Sequence, residues 1–304
     1  MKSINPKMKS FQNFIIITFL LCSCKMENNE TNKEEWILLF NGKDLSGWDI
    51  KIAYNNINEN FKNTFQVKDS MIKVVYDQYK AFDDKYGHMY YKTPYSYYKL
   101  KFDYRFVGDQ TPGGENWNIR NSGVMFHSQS AKSNAFEQHF PVSLEIQLLG
   151  GLGVNERTTA NLCTPGTAVY FKDKLDFTHC ISSESKTYHG DHWVHVEAII
   201  LGNESIVHIV ENDTVLKYTR PEIDKNFLSK EYQGNDWDNF GVTNKEIWLD
   251  KAGKSIGEGY IALQAESHPV DFKNIELLNL CGCMDKEAKN YKSYFIKNNN
   301  KCIY

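Results

Sequence analysis

An all-β sandwich is the architecture this sequence predicts, and three observations carry that expectation. Short runs of alternating apolar and polar residues recur from Glu35 onward, turn residues punctuate them, and no long segment keeps the 3.6-residue period of a helix. Aromatic side chains, which strands favour, make up 14% of the chain. At 304 residues the sequence has room for one β domain of roughly 200 to 250 residues with short appendages.

The elements follow in order. Phe40-Asn41-Gly42-Lys43 is a turn, with Leu45 and Trp48 as anchors behind it. Residues 65–75 form two short strands around Lys68-Asp69-Ser70, and residues 88–91 another. In residues 97–107 Leu100, Phe102, Tyr104 and Phe106 share one face and Lys101, Asp103 and Arg105 the other, the pattern of a half-buried strand. Asp103 and Arg105 read better as a cross-strand ion pair or as outer-face residues than as catalytic ones. Residues 120–128 (RNSGVMFHS) and 141–151 (PVSLEIQLLGG) are the central strands. Residues 150–166 read as a long loop, and 193–201, 205–210 and 214–218 as a meander. Residues 221–257, with Trp237 and Trp248, are a polar insertion with room for a short helix, after which 260–264 and 270–278 close the β region.

The central strands hold the first candidate residues. Ser143, Glu145 and Gln147 fall on one face, while Val142, Leu144, Ile146 and Leu148 fall on the other. The same alternation puts Asn121, Gly123, Met125 and His127 together, so His127 would meet Glu145 if the two strands are neighbours. The plain alternative is that these polar residues are only the wet side of an antiparallel sheet. Near the end, Gln264, Glu266 and His268 are spaced to share a face, with Pro269 marking a strand end or bulge. Arg120 and Asn121 are candidate hydroxyl binders, His189 and Asp191 candidate rim residues, and Trp117 and Tyr170 candidate stacking surfaces, although core packing is the stronger reading for Tyr170.

The two ends differ from the middle. Lys2, Lys7 and Lys9, the apolar residues 11–21 and Leu21-Cys22-Ser23-Cys24 make residues 1–23 a signal peptide; the apolar run is short for a membrane span. LCSC resembles the lipobox of bacterial lipoproteins, which implies cleavage before Cys24, lipid on its thiol, and a cell-envelope location with the membrane met only through that lipid. Ordinary signal cleavage is the alternative. Residues 24–34 are a polar tether. Of the five later cysteines, Cys163 with Cys180 and Cys283 with Cys302 are the candidate disulfides, leaving Cys281 free. Residues 281–304 form a small cysteine-containing appendage to a domain spanning 35–280. A net charge of -3 offers no broad attraction to nucleic acid.

Six segments, in order, resemble the 3-keto-disaccharide hydrolase domain family: LLFNGKDLSGW (38–48), YYKLKFDYRF (97–106), NSGVMFH (121–127), LEIQLL (144–149), GDHWVHVEAIILGN (190–203) and GYIALQAESHPVDFKNIEL (259–277). The resemblance implies a concanavalin A-like jelly roll of two curved antiparallel sheets and a carbohydrate or glycoside substrate. It departs from the family at His127, where many members have Arg, and in the loop from Gly150 to Cys180. The implied chemistry starts with the C3 ketone, which acidifies the C2 hydrogen. A base removes that proton, the aglycone leaves C1, and water adds back. On this reading Glu145, His127 and His268 are the catalytic candidates, with Gln147, Arg120, Asn121, Gln264, Glu266, His189, Asp191 and Trp117 binding substrate. A divalent metal ion on Glu145, His127 and His268 would stabilise an enolate. A non-catalytic carbohydrate-binding module is the alternative function.

Overall fold

The structure, a computed structural model, describes residues 33–225, 241–244 and 246–304. The signal segment, Cys24, most of the tether and Trp237 lie outside the described residues.

Two antiparallel sheets face each other as a jelly-roll sandwich. The larger runs in the order Lys174–Asp176, Thr167–Phe171, Asp213–Ile223, Ser205–Val210, Val194–Leu201, Tyr97–Phe106, Val270–Asn279, Met71–Val74 and Phe65–Lys68, with Trp36–Leu38 added beside Val270–Asn279. The smaller runs Cys180–Ile181, Asn161–Cys163, Leu144–Leu149, Asn121–Ser128, Tyr260–Ala265, Gly87–Tyr91 and Trp48–Ile52. The alternation read from sequence sets which face is which. Leu100, Phe102, Tyr104 and Phe106 of one sheet and Val124, Phe126, Leu144, Ile146 and Leu148 of the other are buried in a single core. Each such side chain contributes roughly 1.5–3 kcal/mol on leaving water. The polar set Glu145, Gln147 and Asn121 is thereby turned to the outer face of the smaller sheet.

Two local expectations are corrected. The stretch read as one loop over 150–166 contains the Asn161–Cys163 strand, which pairs with Leu144–Leu149. Asp103 and Arg105 are outer-face residues with cross-strand partners, as read: Asp103 takes His195 at 2.6 Å and Asn274 at 2.6 Å, and Arg105 binds Asp271 at 2.9 Å. They are consecutive outward residues of one strand, so each pairs across to a neighbour. Tyr170 lies in the larger sheet with the Arg220 guanidinium 3.7 Å over its ring, which removes it from the polar face.

Both expected disulfides form, Cys163–Cys180 and Cys283–Cys302, as in proteins of an oxidising compartment. Cys281 stays free. Among the described residues no helix is long and apolar enough to cross a membrane. The C-terminal segment docks through Leu280 and Tyr294 onto Tyr97 and Leu278, and Cys281–Gly282 pairs with Lys297–Asn298.

Candidate active site

A cavity of about 670 Å³ opens on the outer face of the smaller sheet. Its floor comes from the central strands, where Met125 stands opposite Glu145 and Gly123 opposite Gln147. Glu145, Gln147 and Asn121 line it together with Glu266, which follows the Tyr260–Ala265 strand. One wall is aromatic and built by loops: Tyr86, Trp117, His139 and Phe140. Tyr86 and Trp117 are parallel with ring centroids 6.2 Å apart, and Trp117 is 51% exposed at the rim. The other wall is Pro165, His179 and the Cys163–Cys180 disulfide, whose Cys163 is the strand partner of Glu145.

Electrostatics single out the floor. Burial pushes the Glu145 carboxyl up to about 8. Glu266 is also raised well above the carboxylate range, by burial first and then by the charge of Glu145, while Arg157 opposes the shift. Two buried acids that repel each other do not both ionise near neutrality, so the pair retains a proton. Arg157 lines the same cavity. Its Nη1 donates to the carbonyls of Ile119 at 2.7 Å, Gly150 at 2.8 Å and Arg120 at 3.3 Å, which fixes the cation beside the acids. Tyr86 contributes a protonated phenol, since burial raises it by more than the hydrogen bond from Asn118 Nδ2, donated to its oxygen at 3.0 Å, lowers it.

The sequence candidates divide into four places. Glu145, Gln147, Asn121, Glu266 and Trp117 come together in the cavity. Gln264 is fully buried in the strand beside Gly123, with neither amide atom hydrogen-bonded among the described residues. Arg120 and His268 instead line an adjacent shallower hollow, where Arg120 pairs with Asp191 at 3.2 Å and donates to the Gly190 carbonyl. His189 sits behind that hollow, its Nδ1 accepting from Gly153 N at 3.0 Å. His127 reaches neither space. Its φ of 46° breaks the alternation, and its Nε2 lies 2.9 Å from the carbonyl of Gly202, in the turn between Val194–Leu201 and Ser205–Val210 of the facing sheet. Ser267, with φ of 72°, separates Glu266 from His268 in the same way. The grouping of Glu145, His127 and His268 therefore does not form, and among the described residues no cluster of three or more His, Cys, Asp or Glu side chains is arranged to hold a metal ion.

Sequence reasoning missed Arg157, Tyr86, His139, Phe140 and His179. All five sit in loops or turns, where neither periodicity nor spacing marks them. The disulfide holds one wall, and losing it has a measurable cost. Replacing Cys163 and Cys180 by serine frees a loop closed over a separation of 17 residues, and is expected to cost about 3 kcal/mol of stability. Melting of the double variant under non-reducing conditions checks this, and a raised KM for any ligand of the cavity should accompany it.

Fold and site define an antiparallel β sandwich with two buried acids on the floor of a cavity walled by aromatic rings. Residues 35–278 match the model of the 3-keto-alpha-glucoside-1,2-lyase-like domain, and the chain belongs to that family. Similar solved structures include a candidate glycosyl hydrolase from Parabacteroides distasonis, with 17% identity, 81% of this chain and 99% of that one covered, and a TM-score of 0.46. A protein with a galectin-like fold from Bacillus subtilis shares 10% identity over 81% of this chain and 97% of its own, with a TM-score of 0.45. The carbohydrate-binding module CBM66 from the same organism shares 10% identity over 77% and 96%, with a TM-score of 0.41. No curated protein matches the chain.

Proposed function

We propose that this protein cleaves 3-keto-glycosides by elimination and rehydration, with the Glu145–Glu266 pair handling the protons. The observation that carries this reading is the pair itself: two buried carboxyls on a cavity floor, both held above their ordinary range, beside a fixed Arg157. The ionised member takes the proton from C2 of the sugar, and the electron pair moves onto the C3 oxygen as an enolate. The enolate then re-forms the ketone and expels the C1 oxygen substituent, which takes a proton from the protonated member. Water adds at C1 of the resulting enone, its proton returns to the pair, and C2 is reprotonated, so the net reaction is hydrolysis. Arg157 and the Tyr86 hydroxyl supply positive charge and a donor for the enolate oxygen. Gln147 and Asn121 orient hydroxyls, and Trp117 with Tyr86 offers a flat face for the ring.

This route does not require the spaced nucleophile and acid of an ordinary glycosidase. Export and lipid attachment at Cys24 are part of the proposal, supported by the LCSC motif and the two disulfides. The test incubates purified protein with 3-keto disaccharides and their unoxidised parents, with and without chelator, and measures released sugar. Release from the keto series alone is the expected result. Equal cleavage of both series would indicate a conventional glycosidase, and tight binding without release a carbohydrate-binding module.

A further inference from the structure

Resting on the reading of Glu145 as a proton carrier, we propose that Gly123 is a positioning residue: its missing side chain is the slot in which the Glu145 carboxyl lies. A Cβ built at 123 would stand 2.3 Å from Glu145 Oε1 and 2.7 Å from both Cγ and Cδ, closer than real atoms approach. Backbone conformation does not explain the glycine, because Gly123 has no positive φ and lies where the strand pairs without a break against Leu144–Leu149. Glycine in a strand interior is otherwise a liability, which leaves close approach by another group as its use.

The surrounding pattern says which group. Register across the sheet aligns Asn161 with Gln147, Gln147 with Gly123, and Gln264 with His88, while the Leu263–Val124 pairing sets Gln264 beside Gly123. A polar row thus crosses five strands and is interrupted only at Gly123. Glu145 belongs to the next row, opposite Met125, and its side chain lies diagonally across the gap. That path carries the carboxyl over the Asn121–Ser128 strand toward the strand that leads into Glu266. With a methyl group at 123 the carboxyl must swing outward into the cavity, which changes its position relative to Glu266. The slot therefore decides where the proton-carrying group stands relative to bound sugar.

The test compares Gly123→Ala in the native protein and over Glu145→Ala. In the native background Gly123→Ala is expected to lower the melting temperature by roughly 5 °C and kcat on a 3-keto-glucoside by roughly a hundredfold, with KM within about threefold of native. Over Glu145→Ala, where nothing occupies the slot, the same change should move the melting temperature by less than about 1 °C. An equal drop in both backgrounds, or an unaltered kcat in an active native enzyme, overturns the proposal. If the native protein turns over no 3-keto-glycoside, the proposed function fails, and the two melting shifts alone still decide the slot. If Gly123→Ala yields no folded protein, recovery of soluble protein in Gly123→Ala/Glu145→Ala supports the slot and continued failure overturns it.

Discussion

Replacing Glu145 with Gln is expected to lower kcat on a 3-keto-glucoside by roughly a thousandfold while leaving KM close to native. The amide keeps the shape of the side chain and its place over Gly123 but neither takes up nor gives a proton at working pH. Ground-state contacts from Gln147, Asn121 and the Trp117–Tyr86 wall survive the change, so binding should persist. The comparison is informative because a purely structural role predicts a different result. If Glu145 were only a wet-face residue, its amide would turn over substrate at the native rate. Glu266→Gln should also impair turnover, since each acid sets the protonation of the other. The double variant should fall little below the worse single one, as expected for residues that act as one unit.

How far this site was legible from sequence depended on whether the chain stayed regular. Glu145 and Gln147 lie in an unbroken strand whose apolar partners Leu144, Ile146 and Leu148 are fully buried, so alternation placed them correctly. The same rule failed at His127, because a left-handed residue and a register shift in the pairing of Tyr260–Ala265 with Asn121–Ser128 turn the imidazole to the facing sheet. It failed again between Glu266 and His268, where Ser267 reverses the chain after the strand has ended. Arg120 shows a third instance: its φ of 48° sends the guanidinium into the adjacent hollow, although Asn121 beside it lines the cavity. Arg157 had no local signal at all. Its position is fixed by carbonyls from two separate segments, 119–120 and 150, and that convergence exists only in the folded chain. Period-two patterning identifies the floor of such a site, and the loops that wall it off require coordinates.

A second large effect should appear in stability rather than turnover. A carboxyl held at about 8 in the folded protein and near 4.5 when unfolded binds more protons folded than unfolded between those values. The stability of the native state must then fall as pH rises through that interval, by up to about 1.4 kcal/mol per pH unit for each such group. Buried histidines act in the opposite sense but in a lower range. Burial lowers His88 to about 3 and His127, His208 and His268 to about 4, so their contribution is lost as pH falls below 6.5 and is constant above neutrality. Lys51, lowered to about 8 by burial, and His195, raised above 6.5 because its bonds to Asp103 and Glu197 outweigh burial, also titrate near pH 7 to 8, so the acid is isolated by the difference between native and Glu145→Gln protein. Glu145→Gln should melt at a higher temperature than the native protein at pH 8, and the gap should narrow as pH is lowered toward 5. At pH 8 the gain should amount to a few kcal/mol, a large share of the roughly 5–15 kcal/mol that holds a typical domain folded. A gap that does not change with pH would mean that Glu145 ionises like a solvated acid, and the proposal of a proton-sharing pair would fall with it. Such a cost in a buried acid on a cavity floor makes sense as the counterpart of a carboxyl poised to exchange a proton near neutrality.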